Sequence, residues 1–103
     1  MLARTELTES RQILLRAAEI IERDGWYGGY NGNWCPRNSK CLTMAISHVA
    51  REWKVNFQAK NEAYDLLTKH IKVENIDWIP EWNDSHTEEQ CLEALRNAAY
   101  MGI

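Results

Sequence analysis

No apolar run in this 103-residue sequence approaches the length of a transmembrane helix. The first ten residues, MLARTELTES, also lack the apolar core of a secretory signal peptide. A basic cluster is missing as well, because the net charge is -3 and the 12 Lys and Arg residues are spread along the chain. We therefore expect a cytoplasmic protein that binds neither membranes nor, directly, nucleic acid.

Cysteine is scarce and odd in number, since the chain contains only Cys35, Cys41 and Cys91. An odd count excludes a complete disulfide framework, and reduced thiols are the expectation in a cytoplasmic protein. The close ligand pairs of zinc sites, C-x2-C and H-x3-H, do not occur. We predict unrelated thiols and no metal or other cofactor. The alternative is a zinc site in which Cys35 and Cys41 meet His48 through the tertiary fold, joined by Cys91 or His86.

Strand patterns are also missing, whereas helical periodicity is clear in four segments. The expected helices, with their capping residues, span 8–25, 39–53, 61–72 and 87–102. The second has the best apolar stripe and is expected to be the central helix. With 45% hydrophobic and 26% charged residues, the composition is that of an ordinary globular domain. We predict a single all-α domain over residues 1–103, a compact bundle of about four helices with two ordered, aromatic-rich loops.

The first of these loops is DGWYGGYNGNWCPRNSKC, residues 24–41, which contains four of the five glycines. It also contains Trp26, Tyr27, Tyr30 and Trp34. Glycine permits unusual backbone conformations and aromatic rings supply contact area, so the composition is typical of a shaped, packed loop. Such rings can simply cover the core. Their number exceeds what covering requires, and we expect at least one to be available to a partner.

The second loop is VENIDWIPEWNDSH, residues 73–86, a long connection for a compact domain. We expect Ile76, Trp78, Ile79 and Trp82 to anchor it to the core and Pro80 to block the continuation of a helix. The two loops should share a core, because the glycine-rich loop needs a docking surface to become ordered. The predicted contact is Trp26 or Trp34 against Trp78 or Trp82.

The motif Trp82-Asn83-Asp84 precedes the last expected helix. Asn and Asp at such a position usually form an Asx-type turn, and we predict that turn close to the shared tryptophan contact. In the alternative interpretation, Asp84 and His86 face the first loop and form the floor of a small cleft.

Cys41 is expected in the first turn of the second helix, where backbone amides and the helix dipole favour a thiolate nucleophile. A thiol enzyme would use His86 or His70 as the base and Asp84 to orient it. No imidazole lies in a recognisable catalytic signature, and the simpler interpretation of Cys41 is a small packed side chain.

The order of these short motifs resembles a family of small uncharacterised bacterial and phage domains, over most of the chain. Met44 stands where that family has Gly, and the segment CPRNSK is peculiar to this sequence. The resemblance implies the fold and a phage or accessory-gene setting, but no reaction. The motifs are Gly25-Trp26, Cys41 with Ala45, Trp82-Asn83-Asp84, Thr87 and Ala98-Ala99.

The leading hypothesis is a protein-binding module, monomeric or homodimeric, which in a phage setting would inhibit a host or defence protein. The alternative is a thiol-dependent hydrolase or transferase with Cys41, His86 and Asp84 as catalytic residues. The predicted binding residues are Trp26, Tyr27, Tyr30, Trp34, Trp82, Asn83 and Asp84.

Overall fold

The structure, a computed structural model, describes residues 3–28 and 39–103. In these ranges the prediction of an all-α fold is confirmed. The α-helices are α1 (Glu9–Asp24), α2 (Leu42–Trp53), α3 (Phe57–Ile71), α4 (Ile79–Asp84) and α5 (Glu88–Ala99). Two 3-10 turns cover Arg4–Glu6 and Ile76–Trp78. The short α4 is therefore additional to the four helices that periodicity predicts.

The predicted caps occupy both ends of α1 and the start of α5, whereas α5 ends before Gly102 with Tyr100 as its C-cap. Thr8 is the N-cap of α1, and Gly25 ends it with a φ of 99°, a conformation that glycine tolerates. At α5 the hydroxyl of Thr87 accepts from the Gln90 N–H at 3.1 Å. The Gln90 side chain accepts from the Thr87 N–H at 2.9 Å, which completes the capping box.

The starts of α2 and α3 differ from the predicted ones. α2 begins at Leu42 with Cys41, not Ser39, as its N-cap. The backbone of Lys40 forms hydrogen bonds with the chain that follows α1. These bonds keep the backbone extended before Cys41. α3 begins earlier than predicted because the side chain of Asn56 caps it, accepting from the Ala59 N–H at 2.8 Å.

The core is centred on α1, which contacts α2, α3 and α5. The expectation that the second helix is central is therefore wrong. Small side chains of α5 face this core and allow the helices to approach closely. The buried hydrophobic residues of α1 are Ile13, Leu14, Ala17, Ala18, Ile20 and Ile21, and those of α5 are Cys91, Ala94, Leu95, Ala98 and Ala99.

The second predicted loop contains the short helix α4, and two of its four predicted anchors are exposed. Pro80 lies in the first turn of α4, where its missing N–H is not needed, so it is compatible with the start of a helix. Of the four predicted anchors, Ile79 is fully buried and Trp82 is half-buried, whereas Ile76 is 41% exposed and Trp78 is 46% exposed.

Candidate functional site

Three consecutive side chains in the last turn of α4 point in different directions. A helix rotates by about 100° per residue, so neighbouring side chains leave it in different directions. Trp82 packs against the edge of the core, Asn83 is completely buried and Asp84 is half-buried beside it. These residues therefore form a helical turn and not the predicted Asx-type turn. Within the motif, Trp82 lies at the edge of the core and Asn83 lies in the interior.

Asn83 uses both ends of its side-chain amide. Its Oδ1 accepts from the Leu42 N–H at 3.0 Å and from the Trp26 indole N–H at 3.2 Å. Its Nδ2 donates to the Tyr27 carbonyl at 3.0 Å and to the Asp84 carboxylate at 3.3 Å. Exchanging oxygen and nitrogen would set donors against donors, so the amide has one orientation. Asn83 thereby holds α4 to both ends of the predicted first loop.

The thiol of Cys91 completes the surroundings of Asn83. Its Sγ lies 3.6 Å from Asn83 Oδ1, and the side chain is fully buried. Burial raises the pKa of the Cys91 thiol to about 12, and the hydrogen bond from Trp26 opposes this only in part. Cys91 is therefore a neutral, structural thiol at physiological pH.

The chain on either side of the first loop is held together by backbone bonds and one ion pair. The Tyr27 N–H donates to the Lys40 carbonyl and the Lys40 N–H donates to the Gly25 carbonyl, each at 2.9 Å. The Lys40 ammonium lies 2.8 Å from Asp24 Oδ2, which Arg23 also approaches. These two cations hold the pKa of the Asp24 carboxyl well below its usual range.

Gly28 lies directly against the indole ring of Trp26. A Cβ atom at this position would collide with that ring, so only glycine fits without a rearrangement. This pair explains part of the glycine and aromatic content of the first loop. Tyr30, Trp34 and Cys35, for which we also made predictions, lie outside the described residues.

The three residues of the thiol-enzyme hypothesis each have another hydrogen-bond partner. Cys41 is half-buried at the start of α2, with its Sγ 3.3 Å from the Thr43 hydroxyl. His86 Nδ1 lies 2.6 Å from the Trp82 carbonyl oxygen, and Asp84 accepts from Asn83. The hypothesis that Cys41 is a nucleophile stays a prediction.

The imidazole of His86 stacks on the indole of Trp82, with 3.7 Å between ring centroids and 15° between planes. Because a carbonyl oxygen only accepts, the hydrogen of the neutral ring lies on Nδ1. Nε2 is then left as an acceptor. The two rings line a polar cavity of about 380 Å³ together with His70, Gln90 and Glu93.

A second cavity of about 380 Å³, which we call the Trp78–Trp82 groove, is also lined by Trp82. Trp78 and Trp82 are four residues apart and border it together, as side chains one helical turn apart do. We expected Trp78 to anchor this segment to the core, but it is 46% exposed. Its four-residue spacing from Trp82, offset by one from Ile79 and Asn83, was the signal for a surface position. The other lining residues are Lys72, Val73, Glu74, Glu81 and Ser85.

Residues 3–28 and 39–103 contain neither a metal-binding cluster nor a transmembrane helix. No three His, Cys, Asp or Glu side chains in these ranges converge into a group that could hold a metal ion. His48 instead lies 3.7 Å from the carboxylate of Glu52. None of the helices described there has the length and apolar character needed to cross a membrane.

A family model described as a family of unknown function (DUF6197) matches residues 5–101, which is nearly the whole chain. No curated protein and no solved structure matches this sequence.

Proposed function

The chain belongs to the family of unknown function DUF6197, and we propose from its own geometry that it is a protein-binding module. The proposed contact surface is the Trp78–Trp82 groove. The observation that carries the proposal is the exposure of Trp78, 46% of whose surface is open to solvent beside the half-buried Trp82. Tryptophan bordering a groove is the residue type that most often dominates the binding energy of protein interfaces.

The exposure of Trp78 is not an isolated case on this turn. Ile76, in the same 3-10 turn, is 41% exposed. A single exposed apolar residue needs no explanation, but two within one turn beside a groove favour an interaction site.

The groove also has a fixed wall, which favours binding. Trp82 packs against the core and stacks on His86. The next residue, Asn83, is hydrogen-bonded to α2 and to Trp26. A surface that is already ordered loses little side-chain entropy when a partner binds.

In this proposal the residues that we predicted from sequence divide into two roles. Trp82 contacts the partner, whereas Trp26 and Asn83 hold α4 in place. A contribution from Tyr30 and Trp34 stays a prediction. The resemblance to bacterial and phage domains suggests a concrete form of the proposal, in which the partner is a host or defence protein.

The experiment is affinity capture from a cell lysate with the wild-type protein and two matched tryptophan variants. Trp78→Ala removes the exposed ring of the groove, and Trp53→Ala removes a ring of 37% exposure at the end of α2. We expect the wild type and Trp53→Ala to recover the same partner, and Trp78→Ala to lose at least about tenfold in affinity, as an interface anchor would. Circular dichroism checks that both variants are folded. Full retention of the partner by Trp78→Ala would reject the groove as the contact surface.

A further inference from the structure

We infer that the segment bound in the Trp78–Trp82 groove presents an apolar side chain flanked by Lys or Arg. The inference rests on the proposed function and adds the chemical class of the partner. It follows from the charges and the aromatic rings that surround the groove.

Three carboxylates lie at or beside the groove and form no ion pair with a cation in the described parts of the chain. Glu74 and Glu81 line it, and Asp77 is exposed in the 3-10 turn that contains Trp78. In the described parts of the chain, the ion pairs of acidic side chains involve Glu19, Glu22, Asp24 and Glu52, and none of these three. Lys72 is the one cationic residue that lines the groove there, so negative charge is in excess.

The aromatic rings, like the carboxylates, favour a positively charged group in the partner. The face of an indole attracts a guanidinium or ammonium group within about 6 Å of its centre, most strongly where water is displaced. A Lys or Arg next to the groove can therefore interact with a carboxylate and with Trp78 or Trp82. An acidic segment would be repelled by Glu74 and Glu81, and a neutral one would leave them unpaired.

The size of the groove determines how much of a partner enters it. A volume of about 380 Å³ admits the side chains of a short segment and not a folded element. Sites of roughly 300–1,000 Å³ are those that enclose drug-sized groups, and this groove is near the lower limit. We therefore expect one apolar side chain inside the groove and the cationic flanks at its border.

A second copy of this chain is the competing occupant. Phe57, at the start of α3, is 75% exposed and lies between Lys54 and Lys60. The chain thus contains a segment of the inferred chemistry. A contact between Phe57 and the groove of another copy would be heterologous, and such contacts close into rings or grow into open assemblies.

The experiment uses a random displayed-peptide library as the probe. Selection on the wild-type protein should enrich peptides in which an aromatic or aliphatic residue has Lys or Arg within a few positions. Selection on Glu74→Lys/Glu81→Lys should instead enrich Asp or Glu at the flanks. The control for net charge is Glu62→Lys/Glu89→Lys, which changes two exposed residues outside the groove and should keep the wild-type preference.

Affinities of one synthetic selected peptide separate the inference from the proposed function. We expect at least about a tenfold loss with Trp78→Ala and with Glu74→Lys/Glu81→Lys, and partial retention with Glu74→Gln/Glu81→Gln. Selected peptides that need Trp78 but show no excess of Lys or Arg would overturn the partner class and leave the proposed function intact. If no selected peptide depended on Trp78, both would be rejected.

Sedimentation of the free protein tests the competing occupant. We expect a monomer, with no change in Phe57→Ala. Self-association that Phe57→Ala or Trp78→Ala abolishes would identify a second copy as the occupant and would overturn the inference of a separate partner.

Discussion

The indole N–H of Trp26 donates a hydrogen bond to Oδ1 of Asn83 at 3.2 Å, across 57 residues of sequence. The same oxygen accepts the first backbone N–H of α2, from Leu42. One buried amide therefore connects the end of α4 to both sides of the glycine-rich segment. We predicted that the two loops share a core, and in the structure they meet through these hydrogen bonds of Asn83. The ring that stacks on Trp82 is that of His86.

Replacing Asn83 by Ala should be strongly destabilising. The change leaves the Trp26 N–H, the Leu42 N–H and the Tyr27 carbonyl without their partner in the interior. Unpaired buried polar groups cost about 1–3 kcal/mol each, so we expect a loss of roughly 3 kcal/mol or more in the free energy of unfolding. Urea denaturation measures it. The control, Asn97→Ala on the exposed side of α5, should change stability by less than about 0.5 kcal/mol. A loss for Asn83→Ala as small as that of the control would contradict the linking role.

Replacing Asn83 by Asp should create a pH-dependent defect. An ionised carboxylate would face the Tyr27 carbonyl and the Asp84 carboxylate, whereas a protonated one can donate a hydrogen bond to Tyr27. Its folded-state pKa should therefore lie above the unfolded value of about 3.9. The loss of unfolding free energy relative to wild type is then largest at pH values above this folded-state pKa. It decreases as the pH falls toward 4. Urea denaturation at neutral pH and near pH 4 measures it, and an unchanged deficit would show that the amide hydrogens do not matter.

Gly28→Ala should destabilise the protein only when Trp26 is present. The added methyl group collides with the indole, and overpacking of this kind typically costs about 1–3 kcal/mol. In a Trp26→Ala background the same change should cost less than about 0.5 kcal/mol, because the obstacle is gone. A thermal-denaturation cycle of the four proteins measures the coupling. Equal costs in both backgrounds would mean that the backbone of Gly28, and not the ring, requires glycine.

The two described thiols should differ in their rates of alkylation. Cys91 is fully buried and burial raises its pKa to about 12, so iodoacetamide should modify it only as fast as the protein unfolds. Cys41 is half-buried and should react in the folded state. Mass spectrometry of the digested protein assigns each rate to its cysteine. Modification of Cys91 in the folded protein at the rate of a free thiol would contradict its packed position.

The same experiment tests the thiol-enzyme hypothesis at Cys41. A nucleophilic thiolate reacts rapidly well below pH 8, whereas an ordinary thiol slows down as the pH falls. We expect no rapid alkylation at low pH, since the described polar partner of Cys41 is the Thr43 hydroxyl and not an imidazole. Rapid alkylation well below pH 8 would favour the thiol-enzyme hypothesis over the binding module.

Asp24→Asn should destabilise the protein at neutral pH and much less in acid. The hydrogen bonds from Arg23 and Lys40 lower the pKa of Asp24. A lowered folded-state pKa contributes stability above the unfolded value of about 3.9, and this contribution is lost as the pH falls toward the folded-state pKa. Relative to the wild type, we expect the free energy of unfolding to be lower by about 1 kcal/mol at pH 7. This difference should decrease with added salt and at pH 3. Thermal denaturation at the two pH values measures it, and an equal deficit at both would exclude the ionic contribution.

The helices could be predicted where their signals are local. The apolar spacing of α1 and the Thr87–Gln90 capping box of α5 act between residues three or four positions apart, and both predictions are confirmed. The start of α2 could not be predicted in this way. Lys40 bonds to Gly25 and Tyr27, so contacts from outside the helix decide that it begins at Leu42.

The sequence by itself determined an all-α chain, because helical periodicity and capping are encoded within single turns. It also identified Trp82, Asn83 and Asp84 as unusual, but not which of them faces the solvent. Only the tertiary structure decided that Asn83 is buried and that Trp78 and Trp82 border a groove. The physical reason is that a buried amide needs partners for all its hydrogen bonds. Those of Asn83 come mainly from Trp26, Tyr27 and Leu42, which no local sequence pattern brings near it.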